Sequence, residues 1–325
     1  MNNITILTEV GKNIGFGHYT RCSSLYQALI KVGNHVRFVV YENEYQIIDT
    51  NIQSLNWLKS IDSLTPISTN EIAIVDSYLA DESIYSLLGE RYHKVVAIDD
   101  FNRMRYPADI VINPNVFFKK IDYSNQSAVC IGGKDYVILR PEFRSTKPIK
   151  FEKYTSLRLL ITIGGSDFRK LLPTLINCFL EIPDLLLTVI DPERSLTQEN
   201  NKRLRILPSQ TATEMVNEMQ KADIVISACG QTLHELAVLS KPTIGICLDI
   251  DQAPNQQFYV AHDFLNKEIN WNDNDLLKKL YESLSHFSIP ENRNHNKQNT
   301  HLLINENGVR NVVNLLKSIS NEPST

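Results

Sequence analysis

Paired cysteines, an excess of basic charge and long hydrophobic runs are all missing from this sequence, and each absence removes a class of protein. The five cysteines, Cys22, Cys130, Cys178, Cys229 and Cys247, are scattered, odd in number and without a CxxC. That pattern suggests neither a disulfide framework nor a structural zinc site and leaves reduced thiols as the expectation. Lys and Arg number 33 against 37 Asp and Glu, a formal charge of −4, which argues against a partner whose phosphate backbone must be neutralised. Nucleic acid is therefore not an expected partner. No apolar run reaches membrane-spanning length, so stable membrane insertion is not expected either. The opening Met1-Asn2-Asn3 runs straight into Ile4-Thr5-Ile6-Leu7, without the basic and apolar regions of a secretory leader, and the expected location is the cytoplasm.

What is present is a chain of 325 residues, 42% apolar and 22% charged, the balance of a compact globular protein too long for one ordinary core. The first half alternates short β-branched runs with amphipathic stretches, the pattern of βα units around a parallel sheet. Ile4 to Leu7, Val36 to Val40, Ile72 to Val75, Val95 to Ile98 and Ile110 to Ile112 read as strands. Leu25, Leu29 and Val32 mark a helix that Gly33-Asn34 stops. The segment "YVILRPEFRSTKPIK", Tyr136 to Lys150, with its prolines and clustered charges, reads as a crossover. The alternation then restarts with Leu157 to Ile163, Leu185 to Ile190, Leu204 to Leu207, Ile224 to Ser227 and Thr243 to Cys247. The expectation is α/β throughout: two Rossmann-like domains, residues 1–143 and 144–325, with a ligand cleft between them. An amphipathic closing helix or helix pair, from about Asn299 to Ile319, is assigned to the second, and Asn321 to Thr325 to a frayed tail.

In such sheets ligands bind beyond the carboxyl ends of the strands, so the chemistry belongs to the loops there. The first is "NIGFGHYTRC", Asn13 to Cys22. Gly15 and Gly17 let a ligand approach the backbone, and the helix start that follows offers free N–H groups to an anion. His18 is the expected general base, with a helix-capping histidine as the plain alternative. Arg21 reads equally as a phosphate ligand or as a salt-bridge partner. Two further loops, "IVDSY" and "AIDDF", supply Asp76 and Tyr78, and Asp99 and Asp100. Asp99 is preferred as the catalytic carboxylate because it leaves its strand first, Asp76 and Asp100 read as helix caps, and Tyr78 could donate to a sugar.

In the second half, "ITIGGSDFRK" offers Gly164, Gly165 and Ser166 as a diphosphate or uracil cradle, with Asp167 as a cap. The block "ADIVISACGQTLHELAVLSKPTIGI", followed by "DQAPNQQ", carries the more specific signal. Gln231 and Thr232 open a helix after a glycine loop, where donors face a phosphate. Glu235 could accept both hydroxyls of a ribose, or simply favour the helix start. His234 reads as a packing or capping residue.

Taken in order, "GFGHYTRC", "DSY", "IDDFNRMRYPADIVINPN", "YVILRPEF", "IGGSD" and the last block resemble the GT-B architecture. Within it the chain resembles the UDP-sugar hydrolases of pseudaminic acid biosynthesis (PseG type) and related spore-coat polysaccharide proteins. The last block is also similar to the nucleotide-binding segment of the N-acetylglucosaminyltransferase that forms lipid II. The resemblance implies UDP as carrier and a diacetamido-trideoxyhexose as released product. It implies His18 as the residue that activates water, roles for Tyr78 and for Asn255 and Gln256, and Glu235 on the ribose. The last glycine loop departs from the usual hydrolase pattern, reading Cys229-Gly230-Gln231-Thr232-Leu233-His234-Glu235. No metal and no cofactor are expected, and a monomer is. The rival expectations are an inverting glycosyltransferase with His18 acting on an acceptor hydroxyl, a UDP-sugar 2-epimerase, which the motif order fits less well, and a binder without turnover.

Overall fold

The structure, a computed structural model, describes residues 2–11, 14–43, 47, 49–144, 156–197, 201–300 and 303–320. Asn13, the crossover beyond Arg144, Leu302 and the expected frayed tail lie outside the described residues. Two compact units emerge, Met1–Arg140 with Asn305–Thr325, and Pro141–Ile304.

The first unit runs β1 (Asn3–Gly11), α1 (Gly17–Lys31), β2 (His35–Asn43), β3 (Gln53–Ser54), β4 (Ile72–Asp76), α2 (Glu82–Gly89), β5 (Lys94–Ile98), β6 (Ile110–Asn113) and β7 (Val129–Gly132). The strands pair in parallel in the order β3-β2-β1-β4-β5-β6-β7. All five strands expected here form. β3 and β7 were not expected: β3 spans two polar residues, and β7 is an edge strand whose apolar run, Val129 to Ile131, is only three residues long with Val129 exposed.

Side chains alternate between the faces of a sheet. Ile4, Ile6, Ile72, Ile74, Val96 and Ile98 share a core with Cys22, Leu25 and Leu29 of α1. Leu7, Ala73, Val75, Val95 and Ala97 pack on the opposite face with Trp57, Tyr85, Leu88 and Tyr106. Continuing that alternation past the strand ends sends Asp76 and Asp100 to the α1 face, and Ser77 and Asp99 to the other. The buried stripe of α1 begins with His18 and Arg21 and continues through Cys22, Leu25 and Leu29, one helical face with a polar first turn. Val32 caps that helix and is exposed.

The second unit runs β8 (Leu157–Thr162), α3 (Leu172–Leu180), β9 (Leu185–Ile190), β10 (Leu204–Leu207), α4 (Ala212–Lys221), β11 (Ile224–Ala228), α5 (Gln231–Val238), β12 (Thr243–Ile246), α6 (Ala253–Ala261), α7 (Leu276–Ser288) and α8 (Pro290–Thr300). Its parallel sheet has the order β10-β9-β8-β11-β12, around a core that includes Leu159, Ile161, Phe179, Ile226 and Ile246.

The final helix, α9 (Gly308–Ile319), belongs to the first unit. Its Val309, Val312, Val313, Leu316 and Ile319 join the core of Ile4, Ile6, Leu25 and Leu29. The division expected from sequence, 1–143 and 144–325, differs in this respect: the break falls at Arg140 and Pro141, and the chain returns at Asn305. An amphipathic period shows that a helix covers a core but not which core it covers.

In both sheets the strand order reverses between adjacent strands, β1 beside β4 and β8 beside β11. Those are the topological switch points at whose carboxyl ends α/β sheets bind ligands.

Candidate active site

At the switch point of the first sheet, six side chains form one connected cluster. His18 Nδ1 lies 2.6 Å from Asp76 Oδ1. Arg21 donates from Nε to Asp76 Oδ2 at 2.5 Å and from Nη1 to Asp100 Oδ1 at 2.7 Å. Its Nη2 donates to Asp76 Oδ1 at 2.7 Å and to Asp100 Oδ2 at 2.9 Å. Asn115 donates to Asp100 Oδ1 at 2.6 Å, and the Tyr78 hydroxyl donates to Asp100 Oδ2 at 2.7 Å. The Tyr78 ring meets the His18 ring edge to face, with centroids 4.3 Å apart.

The charges of this cluster are strongly constrained. Burial alone would raise the Asp76 carboxyl, but the Arg21 guanidinium and then His18 outweigh it and hold Asp76 well below the usual carboxylate range. Burial likewise opposes ionisation of Asp100, and Arg21 again overrides it. Because Asp76 is ionised, His18 Nδ1 carries the proton between them. The 3.2 Å separation of Arg21 Nη2 from His18 Nδ1 then joins two donors and is a close approach, not a hydrogen bond. With Nδ1 committed to Asp76, Nε2 is the nitrogen for proton transfer. One guanidinium faces two carboxylates, so a proton gained by His18 brings the cluster to neutrality.

Several expectations change at this point. Arg21 is a salt-bridge partner whose donors serve Asp76 and Asp100, and it is not placed as a phosphate ligand. Asp76 and Asp100 anchor the cluster instead of capping helices; the cap of α2 is Asp81, which accepts from Ile84 N. Tyr78 gives its hydroxyl proton to Asp100, so its oxygen is left to accept from a ligand, not to donate. Asp99 stands on the other face of the sheet. It accepts from Tyr106 Oη at 2.7 Å, Tyr123 Oη at 2.8 Å, Asn102 N at 2.5 Å and Arg103 N at 3.2 Å, a set that fills both oxygens and keeps it away from His18. The residue first off the strand is on the wrong face; strand parity was the signal that separates the two adjacent aspartates.

Sequence reasoning also passed over Glu9, a fully buried carboxylate near the end of β1. It accepts the Ser77 hydroxyl, the Tyr78 N–H at 2.7 Å and the Leu79 N–H at 3.3 Å. Burial pushes its pKa up, partly offset by these donors and by His18. Gly15, at φ +79°, turns the chain into α1, and the Cβ positions of both Gly15 and Gly17 are open for at least 4 Å.

The second sheet presents its own loops at its own switch point. Gly164, at φ +103°, follows β8 with open space around it, and Gly165 and Ser166 come next. Asp167, expected as a cap, accepts from Leu171 N at 2.7 Å and Leu172 N at 2.9 Å, but the N-cap position of α3 is Leu171, four residues on. Gly230 is the N-cap of α5, whose first residues are Gln231 and Thr232 and whose first turn holds no acid. Glu235 is buried one turn later, and His234 is a packing residue, its Nδ1 2.8 Å from the Tyr259 hydroxyl. Asn255 and Gln256 lie in the first turns of α6 and differ in use. Gln256 Nε2 donates to Ile269 O at 2.7 Å and Gly245 O at 3.3 Å, a structural tie, whereas Asn255 Oδ1 is buried with no hydrogen-bond partner. Gln252, also unforeseen, accepts from Cys229 N at 3.1 Å and Leu248 N at 3.2 Å and so joins the loops after β11 and β12. Among the described residues no group of three or more His, Cys, Asp and Glu could hold a metal ion, and no helix is long and apolar enough to cross a membrane.

Two parallel-sheet Rossmann-like domains, each with a glycine loop at its switch point, define the GT-B fold. Residues 188–316 match the glycosyltransferase family 28 C-terminal domain. The chain is 24% identical over 249 residues, 74% of its length, to a Helicobacter pylori protein named pseudaminic acid cytidylyltransferase and UDP-2,4-diacetamido-2,4,6-trideoxy-beta-L-altropyranose hydrolase, covering 43% of that protein. Over 132 residues it is 26% identical to the spore coat polysaccharide biosynthesis protein SpsG of Bacillus subtilis, covering 38% of each. It thus spans less than half of either relative. Among solved structures it is similar to MurG of Acinetobacter baumannii, with TM-score 0.63 and 14% identity over 98% of this chain and 100% of that one. The UDP complex of S. aureus MnaA gives TM-score 0.62 and 13% identity over 100% and 99% of the two chains.

Proposed function

We propose that this chain is a hydrolase that cleaves a UDP-linked diacetamido-trideoxyhexose to free sugar and UDP, in nonulosonic (pseudaminic) acid biosynthesis. The observation that carries the reading is the buried contact between His18 Nδ1 and Asp76, which orients the imidazole and leaves Nε2 basic. The names of the two relatives from H. pylori and B. subtilis, a sugar hydrolase and a polysaccharide biosynthesis protein, support the substrate class.

In this mechanism His18 Nε2 takes a proton from water as the water oxygen attacks the anomeric carbon. The bond from that carbon to the diphosphate oxygen breaks, and UDP leaves with the electron pair. The imidazolium formed is stabilised by Asp76, within a cluster one charge short of neutral. Tyr78 Oη, its own proton directed to Asp100, accepts an N–H or O–H of the sugar. The nucleotide is assigned to the second sheet: Gly164, Gly165 and Ser166 near the uracil or diphosphate, Gln231 and Thr232 on phosphate through the start of α5, Glu235 on the ribose. The partnerless Asn255 Oδ1 fits a ligand donor, since a buried carbonyl oxygen left bare costs about 1–3 kcal/mol.

A glycosyltransferase is the second reading, favoured by the match of residues 188–316 to a glycosyltransferase domain. In it the same His18 deprotonates an acceptor hydroxyl. The deciding experiment incubates the protein with UDP-linked acetamido sugars, without acceptor, and follows UDP and free sugar by NMR. Stoichiometric free sugar and UDP that vanish in His18→Asn support hydrolysis. UDP binding with no release refutes it in favour of a transferase or a binder.

A further inference from the structure

Tyr78 is brought to His18 by a four-residue loop, Ser77 to Ala80, that lies between β4 and α2 and belongs to neither. Exposed loop tips of this kind normally leave their backbone to water; this one does not. On one side the buried Glu9 accepts from Tyr78 N and Leu79 N and from the Ser77 hydroxyl, and Ser77 Oγ in turn accepts from Leu79 N at 3.0 Å and Ala80 N at 2.9 Å. On the other side Arg103 Nη2 donates to Ala80 O at 2.6 Å and to Ser77 O at 3.2 Å. The N–H groups are gathered by the Glu9 carboxyl and the Ser77 hydroxyl it holds, and two carbonyls by the Arg103 guanidinium, so the loop is clamped on both sides.

We infer that Glu9 and Arg103 are positioning residues for the reaction, acting through the Ser77 to Ala80 loop to hold the Tyr78 phenol between Asp100 and His18. Asp99 supports the same device from behind, since it accepts from the backbone N–H of Arg103 and of Asn102 and fixes the segment that carries the guanidinium. This gives Asp99 a use that its place on the other face of the sheet denies it as a catalytic group. The inference rests on the reading of His18 and Tyr78 as the reacting site, and it adds residues that hold the phenol through the backbone of its loop.

A clamp makes a prediction that a merely stabilising pair does not: its loss should matter only while the Tyr78 hydroxyl is there to be placed. Arg103→Ala and Glu9→Leu are expected to lower kcat/KM for the UDP-sugar on the order of ten- to a hundredfold. Placed on a Tyr78→Phe background, the same changes should cost less than about threefold more. Glu9→Gln, which keeps an oxygen for the Tyr78 and Leu79 N–H groups, should restore activity to within about threefold of the parent. Arg103 lies at the surface, so its variant tests the clamp even where Glu9→Leu fails to fold. An activity-free readout accompanies these: hydrogen exchange at the Tyr78 and Leu79 amides should speed by about tenfold or more in Arg103→Ala. Equal losses on the Tyr78 and Tyr78→Phe backgrounds, or unchanged exchange at those amides, would overturn the inference. If the parent protein hydrolyses no UDP-sugar, the functional reading fails, and the exchange measurement alone decides the clamp.

Discussion

At the residue scale the proposed chemistry turns on one proton, the one His18 donates to Asp76 at 2.6 Å. An amide in place of that carboxylate cannot stabilise an imidazolium, and it leaves Arg21 with one counter-charge instead of two. Asp76→Asn is therefore expected to lower kcat on the order of a hundredfold or more while UDP affinity stays within about twofold, which stopped-assay kinetics and calorimetry would check together. A pH effect follows from the same pair. Asp76 and Asp100 have folded-state pKa values below the ordinary 3.8, each because Arg21 outweighs burial. For a depressed carboxyl the stability it contributes is complete above its unfolded value and is lost as pH falls through the folded one. Thermal unfolding should thus show midpoints falling steeply below about pH 4, with a shallower fall in Asp76→Asn; equal slopes would contradict it. His18 and Tyr78 were legible from their place after a strand, but the choice of Asp99 over its neighbour was not. Order along the chain says which residue leaves the strand first, whereas the alternation of Val96 and Ile98 toward α1 says which one faces the histidine.

At the element scale, loops gain their shape from partners far away in sequence. Gln252 joins two of them, its Oε1 accepting the N–H groups of Cys229 and Leu248 just after β11 and β12. Gln252→Leu removes the acceptor; the Cys229 N–H keeps its bond to Ile246 O at 3.2 Å but the Leu248 N–H loses the side-chain acceptor, so a loss of about 1–3 kcal/mol in denaturant-measured stability is expected. UDP binding should weaken by about tenfold, because Cys229 and Gly230 shape the entry to α5. Unaltered UDP affinity would remove the glycine loop from the proposed nucleotide site. The strands on either side of these loops were legible because β-branched runs such as Ile224 to Ser227 and Thr243 to Cys247 are buried on both faces, and apolar runs of that length report themselves. The Gly164 loop was also legible, and its φ of +103° gives the physical reason for a glycine there. The Gln252 tie had no such signal, for its partners are backbone atoms 4 and 23 residues away. A polar side chain on a loop looks the same in sequence whether it meets water or a distant amide.

At the scale of the whole molecule, the chain's last helix completes its first domain. Strand patterns located both sheets, and the break at Arg140 and Pro141 falls within the segment read as a crossover, but periodicity could not assign α9. Its destination is decided by packing: Val309 and Val312 are fully buried, and Val313, Leu316 and Ile319 nearly so, in the core beneath α1. Five such side chains contribute about 1.5–3 kcal/mol each. Their sum is comparable to the entire 5–15 kcal/mol by which a domain is usually stable. A chain ending at Ile304 should therefore lose the Met1–Arg140 unit and not the Pro141–Ile304 unit. Hydrogen exchange would show β1, α1 and β4 open while β8, β11 and α5 stay protected, and hydrolysis would disappear with UDP binding retained. If the shortened chain instead kept its β1 and β4 protection, the core around Ile4, Ile6 and Leu25 would be self-sufficient, and the return of the C-terminus would carry no stability.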